Sequence, residues 1–124
     1  MLTASPATRV LLAAGATDMR KSFDTLGALV RNELGGEIVS GHLFVFCNSR
    51  RDRIKVLFFD GSGLWVCAKR LEKGTFWWPD ASHRGAVEMT SAEFSALIGG
   101  LDLQGMRRRR WYRVQQAEND SRGS

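Results

Sequence analysis

The fold is decided by HLFVFCNSRRDRIKVLFFDGSGLWVCAK, residues 42–69, because this stretch holds three apolar runs separated by two polar connections. The runs, residues 42–47, 54–59 and 64–69, are rich in the β-branched and aromatic residues typical of strands. The step Asp60-Gly61 favours the positive φ angles of a tight hairpin turn, and the connection before the second run is also of hairpin length. We therefore predict three strands of an antiparallel meander.

Further strands are predicted on both sides of this meander. Residues 9–14 lead into a turn at Gly15, residues 75–78 end at Pro79, and residues 86–89 form a short apolar run. We expect a sheet of four to five strands from these segments.

The first of two predicted helices covers residues 18–34. Its apolar side chains recur at three- and four-residue steps, which is typical of one face of an amphipathic helix. Asp18 or Ser22 is a candidate cap for its start, and Gly35-Gly36 marks its end.

The second predicted helix begins with a capping box, in which Thr90 and Glu93 exchange hydrogen bonds with each other's backbone. It runs to about residue 101 and buries Phe94 and Leu97. The predicted fold class is therefore α+β, an antiparallel meander sheet of four to five strands with two helices packed on one face.

Length and composition indicate one folded domain. The chain has 124 residues, 44% of them hydrophobic and only two of them proline, which is the composition of a folded protein and not of a disordered one. We assign residues 1–106 to a single domain and residues 107–124 to a basic, largely flexible tail. Two cysteines inside apolar runs and the lack of a span-length apolar stretch favour a cytoplasmic protein with no membrane partner.

The net charge of +5 is unevenly distributed along the chain. Residues 50–73 and residues 107–124 each carry a basic surplus of four, whereas the segment between them is acidic. Such asymmetry points to an anionic partner.

Five blocks of sequence in a fixed order carry a resemblance to a known family: TDMRKSFDTL at 17–26, SGHLFVF at 40–46, RRDRIKVL at 50–57, DGSGL at 60–64 and KRLEKGTF at 69–76. Over roughly residues 9–110, the chain resembles the small accessory protein, of the TnpB or second open reading frame type, of the insertion-sequence-sixty-six family of bacterial transposons. From Gln115 onward the tail departs from the family pattern.

The resemblance implies an accessory factor for transposition of a bacterial insertion sequence. Elements of this family encode a separate, larger transposase that carries an acidic catalytic triad. The resemblance transfers no biochemical activity to particular residues of this chain. It implies as partners the DNA of the transposon ends or target, or RNA, and the transposase or another accessory subunit.

The first candidate nucleic-acid contacts lie at the hairpin loop formed by Arg50, Arg51 and Arg53, with Lys55 beside it. Arginine pairs bidentately with phosphate and stays charged, so an exposed loop of this kind suits a nucleic-acid backbone. The alternative is a polar hairpin loop that is only solvated.

A second basic group, Lys69, Arg70 and Lys73, leads into Trp77 and Trp78. Basic residues beside aromatic ones are the ingredients of a surface that binds unpaired bases. Because neighbouring residues of a strand face opposite sides, one of the two tryptophans is expected in the core. Core packing of both is the alternative.

The tail is the densest cluster of positive charge on the chain, and its candidate contacts are Arg107, Arg108, Arg109, Arg110, Trp111 and Arg113. Four adjacent arginines repel one another, and a phosphate backbone relieves that repulsion. A solubilising tail is the alternative interpretation.

Catalytic and metal sites are not expected. The carboxylates Asp18, Asp24, Asp60 and Glu72 have local roles in caps, turns and charge pairs, and their spacing does not bring them together. His42, Cys47, Cys67 and His83 lack the close pairs that zinc sites use. We expect no enzyme, no metal and no cofactor.

The predicted function is a non-catalytic nucleic-acid-binding module that serves transposition. The alternative is a protein–protein adaptor that docks the transposase or another subunit through exposed aromatic residues such as Trp65 or Trp77.

Overall fold

The computed structural model describes residues 8–82 and 86–99. The described elements are β1 (Val10–Ala13), α1 (Phe23–Leu29, continued by a π-helical segment at Val30–Leu34), a 3-10 turn (Ile38–Ser40), β2 (Leu43–Cys47), β3 (Arg53–Phe59), β4 (Leu64–Arg70), β5 (Ala86–Met89) and α2 (Ser91–Ile98). They confirm the α+β class and a five-stranded sheet.

The sheet has the order β4-β3-β2-β1-β5 and is mixed, with one parallel pair. Strands β2, β3 and β4 form the predicted antiparallel meander. Strand β1 lies parallel to β2, with Val10 opposite Leu43, because α1 crosses over between them and returns the chain in the same direction. The parallel pairing of β1 with β2 thus corrects the expectation that the whole sheet is an antiparallel meander.

The predicted strand at residues 75–78 is instead an extended segment that closes one end of the core. Phe76 and Trp78 are buried, and the indole Nε1 of Trp78 donates to the backbone oxygen of Ala13 at 2.9 Å. The amide of Phe76 donates to the backbone oxygen of Arg51 at 2.6 Å. These two hydrogen bonds go to the carbonyl oxygens of a loop residue and of the last residue of β1.

The two helices pack against opposite faces of the sheet, which corrects the expectation that both cover one face. Leu26 of α1 lies in one core cluster with Phe44, whereas Phe94 of α2 lies in the other cluster with Val45. Successive residues of a strand point to opposite faces, so β2 contributes to both clusters. All five of its residues are buried. An apolar run without alternation is the pattern of a strand covered on both sides.

The helix starts and ends follow the predicted caps in part, and α2 ends at Ile98, before the predicted end near residue 101. Ser22 is the N-cap of α1, so the helix begins after residue 22 and not at residue 18. Gly35, with φ of 66°, takes the left-handed conformation that ends the helical segment. The capping box of α2 is confirmed, since the Thr90 hydroxyl accepts from the Glu93 amide at 3.1 Å and the Glu93 carboxylate accepts from the Thr90 amide at 2.9 Å.

Gly36 lies so close to the α1-side core that a side chain there must displace Phe44. A Cβ at this position would come within 2.7 Å of the Phe44 ring. We expect Gly36→Ala to lower the free energy of unfolding by about 1–3 kcal/mol through overpacking, as measured by urea denaturation. Gly63→Ala is the matched control, because a Cβ there meets nothing within 4 Å. Equal stability of the two variants would contradict this packing.

Candidate nucleic-acid interface

The turn between β2 and β3 is held in place by Asn48. Its Oδ1 accepts from the amides of Asp52 and Arg53, both at 3.0 Å, and its Nδ2 donates to the Asp52 carboxylate at 2.7 Å. Arg51 adopts the left-handed conformation with φ of 62°. The arginine side chains of this turn are therefore presented from an ordered backbone, and all three are exposed.

Register places two arginines directly opposite each other on adjacent strands. Arg53 of β3 pairs with Arg70 of β4, and Lys55 pairs with Ala68 on the same face. These residues, together with Met19, line an open groove of about 460 Å³ on the α1 side of the sheet. Like charges directly opposite in a sheet repel, so this pair favours an anion between its members.

Few carboxylates neutralise this end of the sheet. Arg70 and Glu72 approach within 3.7 Å, and both side chains are largely exposed. In the described part of the chain, no carboxylate lies within 4 Å of the charged groups of Arg50, Arg51 or Arg53. Weak, solvent-exposed pairing of this kind leaves the positive charge available to a ligand.

The turn and the end of β4 are joined by backbone hydrogen bonds. The amide of Leu71 donates to the backbone oxygen of Asp52 at 2.8 Å, and the amide of Phe76 donates to the backbone oxygen of Arg51. The chain from β4 to the buried Phe76 therefore packs against the basic turn, and exposed Lys73 lies within that chain segment. We call Arg50, Arg51, Arg53, Lys55, Arg70 and Lys73 the basic surface.

Two of the predicted cations have local roles. The Lys55 ammonium donates to the backbone oxygen of Lys21 at 2.8 Å, which orients it beside the groove. Lys69 is the cross-strand partner of Ile54 and lies on the opposite face, where its ammonium bonds to the backbone oxygen of Ile98 at the end of α2. Lys69 therefore borders the groove at its backbone position, while its ammonium is held on the α2 side. The predicted tail contacts, residues 107–111 and Arg113, lie outside the described residues.

The aromatic residues do not join the basic surface. Trp78 is buried, and Trp77 packs partly buried against the α2-side cluster. Among the tryptophans that the structure describes, the exposed one is Trp65, which stacks on Phe58 with ring centroids 6.2 Å apart. Alternation along β4 places it on the face opposite Arg70. Trp78 is thus the tryptophan of this pair that lies in the core, whereas Trp77 is only partly buried.

Asp60 organises the β3–β4 turn. Its Oδ1 accepts from the amides of Ser62 and Gly63, and its Oδ2 accepts from the indole of Trp65 at 2.7 Å. These hydrogen bonds hold the pKa of the Asp60 carboxyl well below its usual range. Asp60 is therefore a structural turn residue, as its position before Gly61 predicts.

The depressed pKa of Asp60 predicts a pH dependence of stability. Its ionised form is favoured by the folded state, so its contribution is present above the unfolded carboxyl pKa of about 3.9 and is lost as pH falls below it. We expect the free energy of unfolding to decline less steeply between about pH 4 and pH 2 in Asp60→Asn than in the native protein, measured by urea denaturation. Parallel declines would contradict the assignment.

The other candidate reactive groups that the structure describes are hydrogen-bonded to neighbouring residues, buried in the core, or too far from one another to form a metal site. Asp18 accepts a forked hydrogen bond from Arg20, which lowers the pKa of its carboxyl. Burial raises the pKa of the Cys47 thiol to about 12. Within residues 8–82 and 86–99, no three histidine, cysteine, aspartate or glutamate side chains are grouped to hold a metal ion. The same residues contain no helix long and apolar enough to cross a bilayer.

Comparison with known proteins identifies relatives along most of the chain. The uncharacterized protein y4hO of Sinorhizobium fredii (strain NBRC 101917 / NGR234) is 38% identical over 102 residues, 82% of this chain and 88% of its own length. The uncharacterized protein y4jC of the same strain is 36% identical over 109 residues, 88% of this chain and 92% of its own. No solved structure matches significantly.

The family profile covers all of the described residues. The profile described as IS66 Orf2 like protein matches residues 8–108, which include every described strand and helix and the whole basic surface. This family is associated with transposition. The chain belongs to the IS66 Orf2-like family of transposition-associated accessory proteins.

Proposed function

We propose that the protein is a non-catalytic nucleic-acid-binding factor that holds a phosphate backbone on its basic surface. The observation that carries this proposal is the register of β3 and β4, which sets Arg53 opposite Arg70 with Lys55 on the same face. The membership of the chain in a transposition-associated family supports DNA of the mobile element as the ligand.

Cross-strand repulsion supports an anionic ligand. Like charges directly opposite destabilise a sheet by roughly 0.2–1 kcal/mol relative to neutral pairs. A phosphate between the two guanidiniums converts this repulsion into two charge-assisted hydrogen bonds. The arrangement is therefore unfavourable in the free protein and favourable in the bound one.

The chemistry of the groove supports contact with the backbone and not with unpaired bases. Among the described residues its lining holds charged side chains and the apolar residues Met19, Ile54 and Ala68, but no aromatic ring on which a base could stack. Arginine and lysine contacts to phosphate set position and affinity without reading sequence. We therefore propose duplex DNA as the preferred ligand of the basic surface.

Removing one arginine of the pair is expected to weaken DNA binding and reduce its dependence on salt. Arg53→Gln should raise the Kd for a DNA duplex and lower the slope of log K against log salt by about one. Fluorescence anisotropy at several salt concentrations measures both quantities. Arg31→Gln removes the same charge from an exposed helical position outside the groove and is the matched control.

The outcome of this comparison separates the possibilities. Equal effects of Arg53→Gln and Arg31→Gln would mean that only net charge matters and would contradict the surface. Stronger binding of single-stranded DNA or RNA than of duplex would keep the surface but overturn the preference for duplex.

The arginine tail is proposed as an additional anchor for the same backbone. Replacing Arg107, Arg108, Arg109 and Arg110 by glutamine should lower the salt slope by about three to four, if each arginine meets a phosphate. The same anisotropy titration measures the change. An unchanged slope would assign the tail to solubility alone.

An adaptor function is the second candidate, and the exposure of Trp65 favours it. This side chain is 47% exposed, a large apolar surface for a residue outside the core. Aromatic anchors of this kind dominate protein–protein interfaces. Binding to the purified transposase with little dependence on salt, together with no DNA binding, would favour the adaptor over the nucleic-acid function.

A further inference from the structure

Strand β4 lies at the edge of the sheet that the described strands form. It pairs with β3 on its inner side, and no described strand pairs with its outer side. It has seven residues, and the five from Leu64 to Ala68 carry no charge and no proline. Long, uncharged edge strands present a row of free backbone donors and acceptors, which proteins usually shield or use for pairing.

We propose that β4 pairs with β4 of a second copy of this chain, in antiparallel orientation around a two-fold axis at Cys67. The two five-stranded sheets then form one continuous ten-stranded sheet. Such an interface is isologous, since the same strand of each copy supplies both halves, and it closes at two subunits.

Geometry fixes the register of this pairing. Directly opposite residues of an antiparallel pair share a face, so the axis must pass through a residue and not between two residues. Cys67 is the middle residue of Leu64–Arg70, and an axis there lets all seven residues pair. Other registers leave part of the strand without a partner.

The pairs that this register creates are compatible in charge and shape. Trp65 meets Lys69 of the second copy, Leu64 meets Arg70, and Val66 meets Ala68. An indole beside an ammonium is attractive through a cation–π contact. A parallel, in-register arrangement would instead set Lys69 and Arg70 beside their own copies, where like charges repel. Charge therefore favours a second copy in antiparallel orientation.

The other edge of the sheet is less suited to pairing. Strand β5 has only four described residues, and its Glu88 forms an ion pair with Arg9 at 3.4 Å. Short, charged edges are the usual protection against strand addition. Strand β4 offers nearly twice the length, with its charges confined to one end.

The dimer also fixes how the two basic surfaces lie relative to each other. The use of this arrangement in DNA binding rests on the proposed function. A two-fold axis perpendicular to the sheet keeps the same face of both copies on the same side. The Arg70 positions lie six residues apart in register, about 20 Å along the strands at 3.4 Å per residue. Both basic surfaces then face the same way, so one duplex could contact both.

Size measurement tests the interface without any nucleic acid, so its outcome is independent of DNA binding. We expect the native chain to sediment at about twice its monomer mass of 13.8 kDa. Trp65→Lys should raise the dimer Kd at least about tenfold, because it sets lysines opposite Lys69 at two symmetric positions. Val39→Lys alters an exposed apolar residue away from β4 and should leave the mass unchanged.

A monomer throughout the micromolar range, a species larger than a dimer, or equal effects of the two lysine variants would overturn the proposal. Circular dichroism of each variant shows whether it remains folded.

Cysteine chemistry in the native sequence gives a second test. Cys67 would face its own copy across the axis, at the distance of directly opposed residues, about 4.5–5.5 Å between Cβ atoms. A short bismaleimide should therefore link two chains through Cys67. Cys47 does not compete, because it is buried and its pKa is raised to about 12. Cys67→Ser should abolish the linkage, and absence of linked dimer in the native protein would overturn the register.

Discussion

Burial of β2 on both faces is the constraint on which the rest of the structure depends. Its five residues divide between two core clusters, one under α1 and one under α2. Removal of apolar side chains from water stabilises both layers at once, since each strand residue serves one face or the other. The layers meet only through this strand and its neighbours, so the positions of both helices follow from it.

The backbone of the basic surface is held in place by its hydrogen bonds to segments of that core. Its turn is tied by Asn48 and by backbone hydrogen bonds to the segment that enters the core at Phe76. The guanidiniums therefore extend from a backbone that is anchored on both sides. Folding therefore orders the turn in advance, which lowers the entropic cost of the proposed binding of an anion.

The opposite distribution of charge and apolar surface along β4 gives its two regions different chemistry. Arg70 at one end lies over the α1-side groove, whereas Trp65 near the other end is exposed on the α2 side. The same strand alternation places Lys69 on the opposite face from Arg70, although the two are neighbours in sequence and both border the groove. Phosphate binding and pairing of subunits could thus use the same strand without competing for side chains.

The sequence by itself determined the local features: the α+β class, the strands around residues 42–69, the Asp60 turn, the capping box at Thr90 and the family membership. These depend on short-range chemistry, such as side-chain periodicity, turn preference and hydrogen bonds within three or four residues. The sequence likewise predicts the clustering of cations in the β2–β3 turn, because those residues are close together in the chain.

Only the tertiary structure decided the parallel β1–β2 pair, the placement of the helices on opposite faces and the pairing of Arg53 with Arg70. A continuous apolar run such as β2 carries no alternation, so it does not reveal which helix covers which face. Residues 75–78 have strand-like composition, yet the indole of Trp78 bonds to Ala13, 65 positions earlier. Contacts between residues that are distant in sequence arise from packing, and local patterns do not encode them.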